Sequence, residues 1–165
     1  KKELQAQINK IKSLGIKPTH IDSHEGALFF NKEHFRVYLE VGEENKLPVF
    51  VPRGVDAHFG KGFSKPKNVV VIKDLYMARK GLKKTKWKEF YLNTIRGLKP
   101  GISQLIVHLS YDDNEMREIS IDHPDYGAKW RHLDYEAVTN ISFKKALKQN
   151  DIKLVTWKEI QKVLY

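Results

Sequence analysis

Helical patterns alternate with short apolar segments along almost the whole chain, and this alternation constrains the fold more than any other feature. Apolar residues at helical spacing predict helices near 2–14, 32–45, 85–97, 141–149 and 157–164. Short apolar segments predict strands near 18–22, 47–51, 69–72, 102–108 and 152–155. Strands that alternate with helices usually pair in parallel through right-handed crossovers. The sequence therefore predicts an α/β fold with parallel strands.

Two longer segments have neither pattern. Residues 56–68 contain Gly60, Gly62 and Pro66 and are predicted to be a loop. Residues 110–135 are predicted to be an irregular excursion with one helical turn around 114–118. No apolar run reaches the roughly 18 residues of a membrane span, and no signal peptide is visible.

A cluster of polar residues lies near the end of the first predicted strand. The segment Thr19-His20-Ile21-Asp22-Ser23-His24 spaces His20, Asp22 and His24 two residues apart. In an extended strand such residues project from one face. Reactive side chains of α/β folds gather at the carboxyl ends of strands, so these groups are candidates for a metal ligand and its orienting partner. The alternatives are ordinary polar residues at a strand edge, with Asp22 capping the following turn.

This segment and three later ones resemble a known family in the same order. They are Lys17 to His24, Lys99 to His108, Tyr126 to Asp134, and Ile152 to Trp157. Together they resemble the YdjC-like carbohydrate deacetylases across nearly the whole chain. The resemblance implies part of a TIM-like (β/α) barrel of the glycoside hydrolase and deacetylase type. It also implies a metal-dependent hydrolase that removes acetyl groups from N-acetylated carbohydrate.

The resemblance assigns roles to individual residues. His24 is the implied metal ligand, and the implied cofactor is a divalent ion, zinc or magnesium. The implied catalytic residues are His108 as the acid that protonates the leaving amine, together with Asp22, Arg131 and Asp134. The implied substrate-binding residues are His20, Arg53 and Tyr126. His108 could instead be a core histidine, and Arg131 and Asp134 could form a surface salt bridge.

Three residues depart from the family pattern and indicate a variant branch. Gly26 and Leu28 stand where the family has further histidines, and Leu109 follows His108 where proline is usual. Neither Gly26 nor Leu28 can bind a metal. Their substitution implies a sugar pocket of different shape from that of enzymes acting on chitooligosaccharides.

The family motifs also bear on how much of a domain is present. The family carries an Asp-Asp pair and an earlier histidine ligand, and nothing before His20 matches them. The 165 residues are fewer than the roughly 250 of a complete barrel. We therefore expect residues 1–165 to be the carboxyl-terminal part of a single deacetylase domain, inactive alone. A missing amino-terminal segment or another copy of the chain would cover its open face.

The formal net charge of +10 raises the question of a polyanionic partner. The lysines near 83–88 lie opposite an apolar helix face, which is typical of a solvated basic surface. We therefore expect an acetylated oligo- or polysaccharide as partner, and neither nucleic acid nor membrane. A catalytically inactive carbohydrate-binding protein and a basic nucleic-acid-binding domain are the alternatives. The sequence does not indicate the compartment.

Overall fold

The structure is a computed structural model that describes residues 1–55, 66, 69–123 and 125–165. The helices are α1 (Lys2–Ser13), α2 (Lys32–Glu44), α3 (Trp87–Gly97), α4 (Asn114–Ile119), α5 (Ala128–Thr139), α6 (Ile141–Gln149) and α7 (Trp157–Leu164). Short 3-10 helices span His24–Phe29 and Lys84–Lys86. The strands are β1 (Phe50–Pro52), β2 (Val70–Ile72), β3 (Asp74–Met77) and β4 (Ser103–Ile106).

The chain divides into two compact units. Unit 1 comprises Lys1–Lys73 and Leu154–Tyr165, and unit 2 comprises Asp74–Lys153. Each unit contains one two-stranded parallel sheet, β1 with β2 in unit 1 and β3 with β4 in unit 2. The α/β class with parallel strands is therefore confirmed. The described residues form no closed sheet, so they do not constitute a barrel by themselves.

Helix α2 organises the core of unit 1. The Asn31 side chain accepts hydrogen bonds from the backbone N–H groups of Glu33 and His34, which caps the first turn. Phe35, Tyr38 and Leu39 lie on its buried face. They pack against Val49 and Val51 of the β1 region. Burial of this apolar stripe is what fixes α2 against the sheet.

Gly42 of α2 lies where the helix comes closest to the β1 region. A Cβ atom added there would be 2.3 Å from Val49 Cγ1 and 3.0 Å from the Leu47 carbonyl oxygen. We expect Gly42→Ala to lower the free energy of unfolding by roughly 1–3 kcal/mol, because the packed core cannot absorb the added methyl group. Urea denaturation monitored by circular dichroism measures this loss.

Gly97, the last residue of α3, supplies the matched control. A Cβ added at Gly97 meets no heavy atom within 4 Å. Gly97→Ala should therefore leave stability unchanged or raise it slightly, by reducing the freedom of the unfolded chain. Equal losses in the two variants would show that close packing at Gly42 is not the cause.

Unit 2 is built around α3, α5 and α6, which pack against one another. Its buried cluster includes Trp87, Tyr91 and Ile95 of α3, Trp130 of α5 and Phe143 of α6. Trp87 and Trp130 meet edge to face, with ring centroids 4.7 Å apart. Leu105 of β4 and the following Val107 pack against this cluster, so the strand end is held by the helices.

Most of the predicted elements are confirmed. Helices α1, α2, α3, α6 and α7 match the predicted helices to within two residues at each end. Strands β2 and β4 lie within the predicted segments 69–72 and 102–108, and β1 overlaps the end of the predicted segment 47–51. The predicted loop 56–68 lies outside the described residues except for Pro66. In the described part of the chain, every helix is too short or too polar to cross a membrane.

Three of the secondary-structure predictions are wrong. Segment 18–22 forms only an isolated parallel bridge between Ile21 and Val49, because the chain then turns into the 3-10 helix. Segment 152–155 forms no strand among the described residues. Segment 110–135 contains the first two turns of α5. That helix was missed because the polar residue Asp134 occupies a buried position and interrupts the apolar pattern.

Candidate functional site

The predicted metal segment of unit 1 is anchored at Ile21. The backbone N–H of Ile21 donates to the Pro48 carbonyl oxygen at 3.0 Å, and the Phe50 N–H donates to the Ile21 carbonyl oxygen at 3.2 Å. The buried Tyr38 hydroxyl also donates to the Ile21 carbonyl oxygen, at 2.8 Å. His20 and Asp22, on either side of Ile21, are therefore held on a fixed backbone.

Asp22 and Ser23 stabilise the turn that follows. The Ser23 N–H donates to Asp22 Oδ1 at 2.7 Å, and the Leu28 N–H donates to Ser23 Oγ at 2.9 Å. Between them the backbone passes through left-handed conformations, with φ of 52° at Glu25 and 72° at Gly26. Partial desolvation raises the pKa of the Asp22 carboxyl, and the Ser23 N–H opposes this shift. Asp22 thus contacts the backbone of this turn, and its predicted catalytic role stays a prediction.

His20 packs against an aromatic residue that the sequence analysis did not identify. Its ring stacks on Trp157 of α7 at 4.6 Å between centroids, with 3° between the planes. Burial lowers the pKa of His20, and the nearby Asp22 carboxylate opposes the shift. A cavity of about 190 Å³ in unit 1 is lined by His20, Asp22 and Tyr38 together with mainly apolar side chains.

The lowered pKa of His20 predicts a pH-dependent stability. Because the folded pKa lies below the unfolded one, the unfolded chain binds more protons at pH values just below about 6.5. Stability should therefore fall as the pH decreases from about 7 towards 5. His20→Phe keeps a ring against Trp157 but cannot titrate, so part of this fall should disappear. Urea denaturation at a series of pH values measures how stability changes with pH in the parent protein and in the variant.

The raised pKa of Asp22 changes stability in the opposite direction as the pH rises. Its contribution to stability is lost as the pH rises through the folded pKa, starting near the unfolded value of about 3.8. An unchanged slope between pH 5 and 7 in the His20→Phe variant would contradict the assigned role of burial at His20.

The predicted metal ligand, His24, is exposed at the start of the 3-10 helix. It does not continue the extended segment of His20 and Asp22. Among the described residues, no three histidine, cysteine, aspartate or glutamate side chains lie close enough together to hold a metal ion. This part of the chain does not by itself fit a complete metal centre.

Asp134 is the centre of the polar site in unit 2. Its side chain is almost fully buried, with 1% exposure. Oδ1 accepts hydrogen bonds from Trp87 Nε1 at 2.7 Å and from the Tyr91 hydroxyl. Oδ2 accepts one from the backbone N–H of His108 at 2.9 Å. A buried carboxylate with three donors therefore joins α3 and α5 to the carboxyl end of β4.

The imidazole of His108 also faces this carboxylate. His108 Nδ1 lies 4.0 Å from Asp134 Oδ2 and is buried, without a hydrogen-bond partner among the described residues. Burial and the positive charge of Arg131 lower the pKa of His108, while Asp134 opposes them. Because Nδ1 faces the buried Asp134 carboxylate, Nε2 is the imidazole nitrogen that can contact a substrate.

Tyr126 and Arg131 shape the surroundings of His108. The Tyr126 ring lies 5.1 Å from the His108 ring and 4.4 Å from Trp130. Its backbone is left-handed, with φ of 65°, which is uncommon for a residue other than glycine. Arg131 Nε donates to the Tyr126 carbonyl oxygen at 2.7 Å and holds this turn. Among the described residues Arg131 forms no ion pair with Asp134, so the alternative of a surface salt bridge between them is not observed.

Arg53 lies in unit 1, just after β1. Its side chain is exposed, and its backbone N–H donates to the Ile72 carbonyl oxygen at 3.0 Å. The structure thus brings together His108, Arg131, Asp134 and Tyr126 in unit 2, and His20 and Asp22 in unit 1.

Trp87, Tyr91 and Trp157 are the site residues that sequence reasoning missed. Trp87 and Tyr91 were assigned only to the apolar face of a helix. Buried tryptophan and tyrosine usually require a partner for their N–H or O–H group, and their spacing of four residues places both on one helix face. That signal could have indicated a buried acceptor.

The chain is similar to known proteins along most of its length. The family model described as YdjC-like protein matches residues 1–149. A carbohydrate deacetylase of Thermoanaerobacter pseudethanolicus is 27% identical over 156 residues, which cover 94% of this chain and 57% of that protein. The chain therefore spans a little over half the length of this relative.

A solved structure supports the same fold. It is that of a candidate cellobiose-phosphate cleavage protein from Enterococcus faecalis, with a TM-score of 0.67 and 20% identity. The match covers 93% of this chain and 56% of that one. At this level of identity, the likeness shows a fold shared with part of that protein.

Proposed function

Because the chain belongs to the YdjC-like protein family, we propose that the protein hydrolyses the amide bond of N-acetylated carbohydrate and releases acetate. The observation that carries this proposal is the placement of His108 at the carboxyl end of β4, held there by the buried Asp134. The relative named carbohydrate deacetylase supports the same chemistry. The proposed partner is an acetylated oligo- or polysaccharide.

We assign proton donation to His108. An amide anion is too basic to leave unaided, so the leaving nitrogen needs a proton as the C–N bond breaks. In the imidazolium form, Nδ1–H would point to Asp134 Oδ2, which is 4.0 Å away, and Nε2–H would point to the leaving amine. After the transfer the imidazole is neutral, which is the form that burial and Arg131 favour. The site therefore lowers the cost of giving the proton up.

Asp134 and Arg131 act through His108. Asp134 fixes the backbone of His108 and offers a negative charge to the imidazolium. Arg131 lowers the pKa of His108 and, by holding the Tyr126 carbonyl oxygen, positions the tyrosine ring beside it. Tyr126, His20 and Arg53 are the side chains proposed to contact the sugar. Asp22 is proposed to orient the metal-binding imidazole, and its carboxylate also accepts the Ser23 N–H of the turn that leads to His24.

The proposed chemistry includes a divalent ion, zinc or magnesium, which lowers the pKa of a bound water and polarises the acetyl oxygen. His24 is the residue of this chain proposed to bind it, since its imidazole is exposed. A complete centre needs ligands beyond those that the described residues bring together. We propose that such ligands, and the remaining strands of a TIM-like barrel, are supplied by an amino-terminal segment or by another copy of the chain.

The two alternatives receive less support. Several basic side chains are engaged in surface ion pairs, such as Lys80 with Asp125 and Lys86 with Glu89, both at 2.8 Å. Lysine side chains that are paired with carboxylates in this way do not favour a nucleic-acid-binding surface. An inactive carbohydrate-binding relative would keep the fold without the chemistry, and it is distinguished by the assay below.

Acetate release tests the proposed function. The full-length protein should release acetate from N-acetylated oligosaccharides when zinc or magnesium is supplied, and His24→Ala should abolish the release. His34→Ala, which changes an exposed histidine on α2, is the control and should keep full activity. Binding of the oligosaccharide without acetate release would instead identify an inactive carbohydrate-binding protein.

A further inference from the structure

A second group of aromatic residues lies close to His108 but outside the buried cluster of unit 2. It consists of Tyr111, His132 and Tyr135, which we name the tyrosine platform. The rings of Tyr111 and Tyr135 are 5.0 Å apart at 60° to each other, and their hydroxyl oxygens are 3.3 Å apart. The rings of His132 and Tyr135 are 6.1 Å apart and nearly parallel, at 24°.

Tyr111 is the solvent-exposed part of the platform, and His132 and Tyr135 are half-buried. Tyr111 is 62% exposed, whereas Tyr91 in the neighbouring core is fully buried. Exposed aromatic residues that contact one another form an apolar patch, and such patches commonly mark ligand sites. Polar groups border this patch, namely the two hydroxyls and the His132–Glu136 pair, whose Nε2 and Oε1 atoms are 3.6 Å apart.

The platform is fixed relative to the proposed catalytic residue. Tyr111 follows His108 by three residues, so their Cα atoms are at most ~11 Å apart. His132 and Tyr135 lie on α5 beside Asp134, whose carboxylate accepts the His108 N–H. The platform therefore lies on the two segments that carry His108 and its carboxylate partner Asp134.

We infer that the tyrosine platform binds a pyranose unit next to the one that is deacetylated. This inference rests on the proposed function for the identity of the ligand. The ring of a pyranose has apolar C–H faces and a rim of hydroxyl groups. It therefore complements exposed aromatic rings bordered by polar groups. The platform would favour oligosaccharides over monosaccharides, because only a chain reaches both positions.

Binding of N-acetylated mono- and oligosaccharides to the full-length protein, measured by isothermal titration calorimetry, tests this inference. Tyr111→Ala and Tyr135→Ala should each weaken oligosaccharide binding by about tenfold and leave monosaccharide binding unchanged. Tyr111→Phe and Tyr135→Phe retain the rings and should keep most of the affinity. Tyr165→Ala removes a partly exposed tyrosine of unit 1 and should change neither affinity.

The outcomes separate this inference from the proposed function. If both alanine variants bind oligosaccharides as tightly as the parent, the platform is not a sugar site, whatever the acetate assay gives. If the parent binds no carbohydrate, the inference is overturned. If the variants lose oligosaccharide affinity but the parent releases no acetate, the platform stands and the deacetylase proposal fails.

Discussion

Replacing His108 with alanine is expected to slow amide cleavage by roughly 10²–10⁴-fold, the usual contribution of a general acid. The reason is that Nε2 of His108 is the proposed source of the proton for the leaving amine. An activated acetyl ester has a good leaving group and needs no such proton. Its hydrolysis should therefore be slowed much less than amide cleavage. Steady-state kinetics of both substrates on the full-length protein measure the two losses.

A matched substitution separates proton donation from damage to the fold. His123→Ala removes an exposed histidine of the same unit and should leave both reactions unchanged. Equal losses of amide and ester hydrolysis in His108→Ala would mean that His108 is not the acid. It would then support the fold or stabilise the developing oxyanion.

Replacing Asp134 with alanine is expected to cost roughly 3–5 kcal/mol of stability, because three buried donors lose their acceptor. Trp87, Tyr91 and the His108 backbone cannot all recover hydrogen bonds to water within the packed core. The loss should be visible as a shift of the urea midpoint without a large change of slope.

Two further variants serve as comparisons for the loss of stability expected in Asp134→Ala. Tyr91→Phe removes one of the three hydrogen bonds and should cost about 0.5–1.5 kcal/mol. Asp125→Ala breaks the exposed ion pair with Lys80 and should cost the least stability of the three variants. A loss in Asp134→Ala no larger than that in Asp125→Ala would show that the buried carboxylate does not hold unit 2 together.

Regular elements with a clear apolar pattern could be predicted from the sequence. Helix α6 was predicted at its observed bounds, since Phe143 and Ala146 form a simple buried stripe. Helix α5 was missed although it carries Trp130 and Ala137 on its buried side, because the core position between them is the charged Asp134. Periodicity arguments treat a charged residue as exposed, and here three hydrogen bonds allow its burial.

Strand pairing was less predictable than helix position. Ile21 was predicted to lie in a strand, but a strand requires a partner on a neighbouring segment. Among the described residues only Val49 forms a bridge with Ile21. Leu154 and Val155 are apolar, and valine has strand propensity, yet both side chains remain exposed, which no local pattern could reveal. The stacking of His20 on Trp157 likewise joins residues 137 positions apart in the sequence.

Part of the site followed from the motif alone. The resemblance pointed to His108, Arg131 and Asp134, and the structure places them around one strand end. The resemblance could not show that the Asp134 carboxylate accepts the backbone N–H of His108. Nor could it show that Trp87 and Tyr91 donate hydrogen bonds to the same carboxylate. Those contacts depend on how α3 and α5 pack, which is set by the whole core of unit 2.

Mass spectrometry of the sugar product tests the central claim most directly. After incubation of the full-length protein with zinc or magnesium and an N-acetylated oligosaccharide, the product should have lost one acetyl group and kept its chain length. The same substrate with His108→Ala should remain largely intact. A product shortened by cleavage between sugar units, with every acetyl group retained, would contradict the deacetylase account.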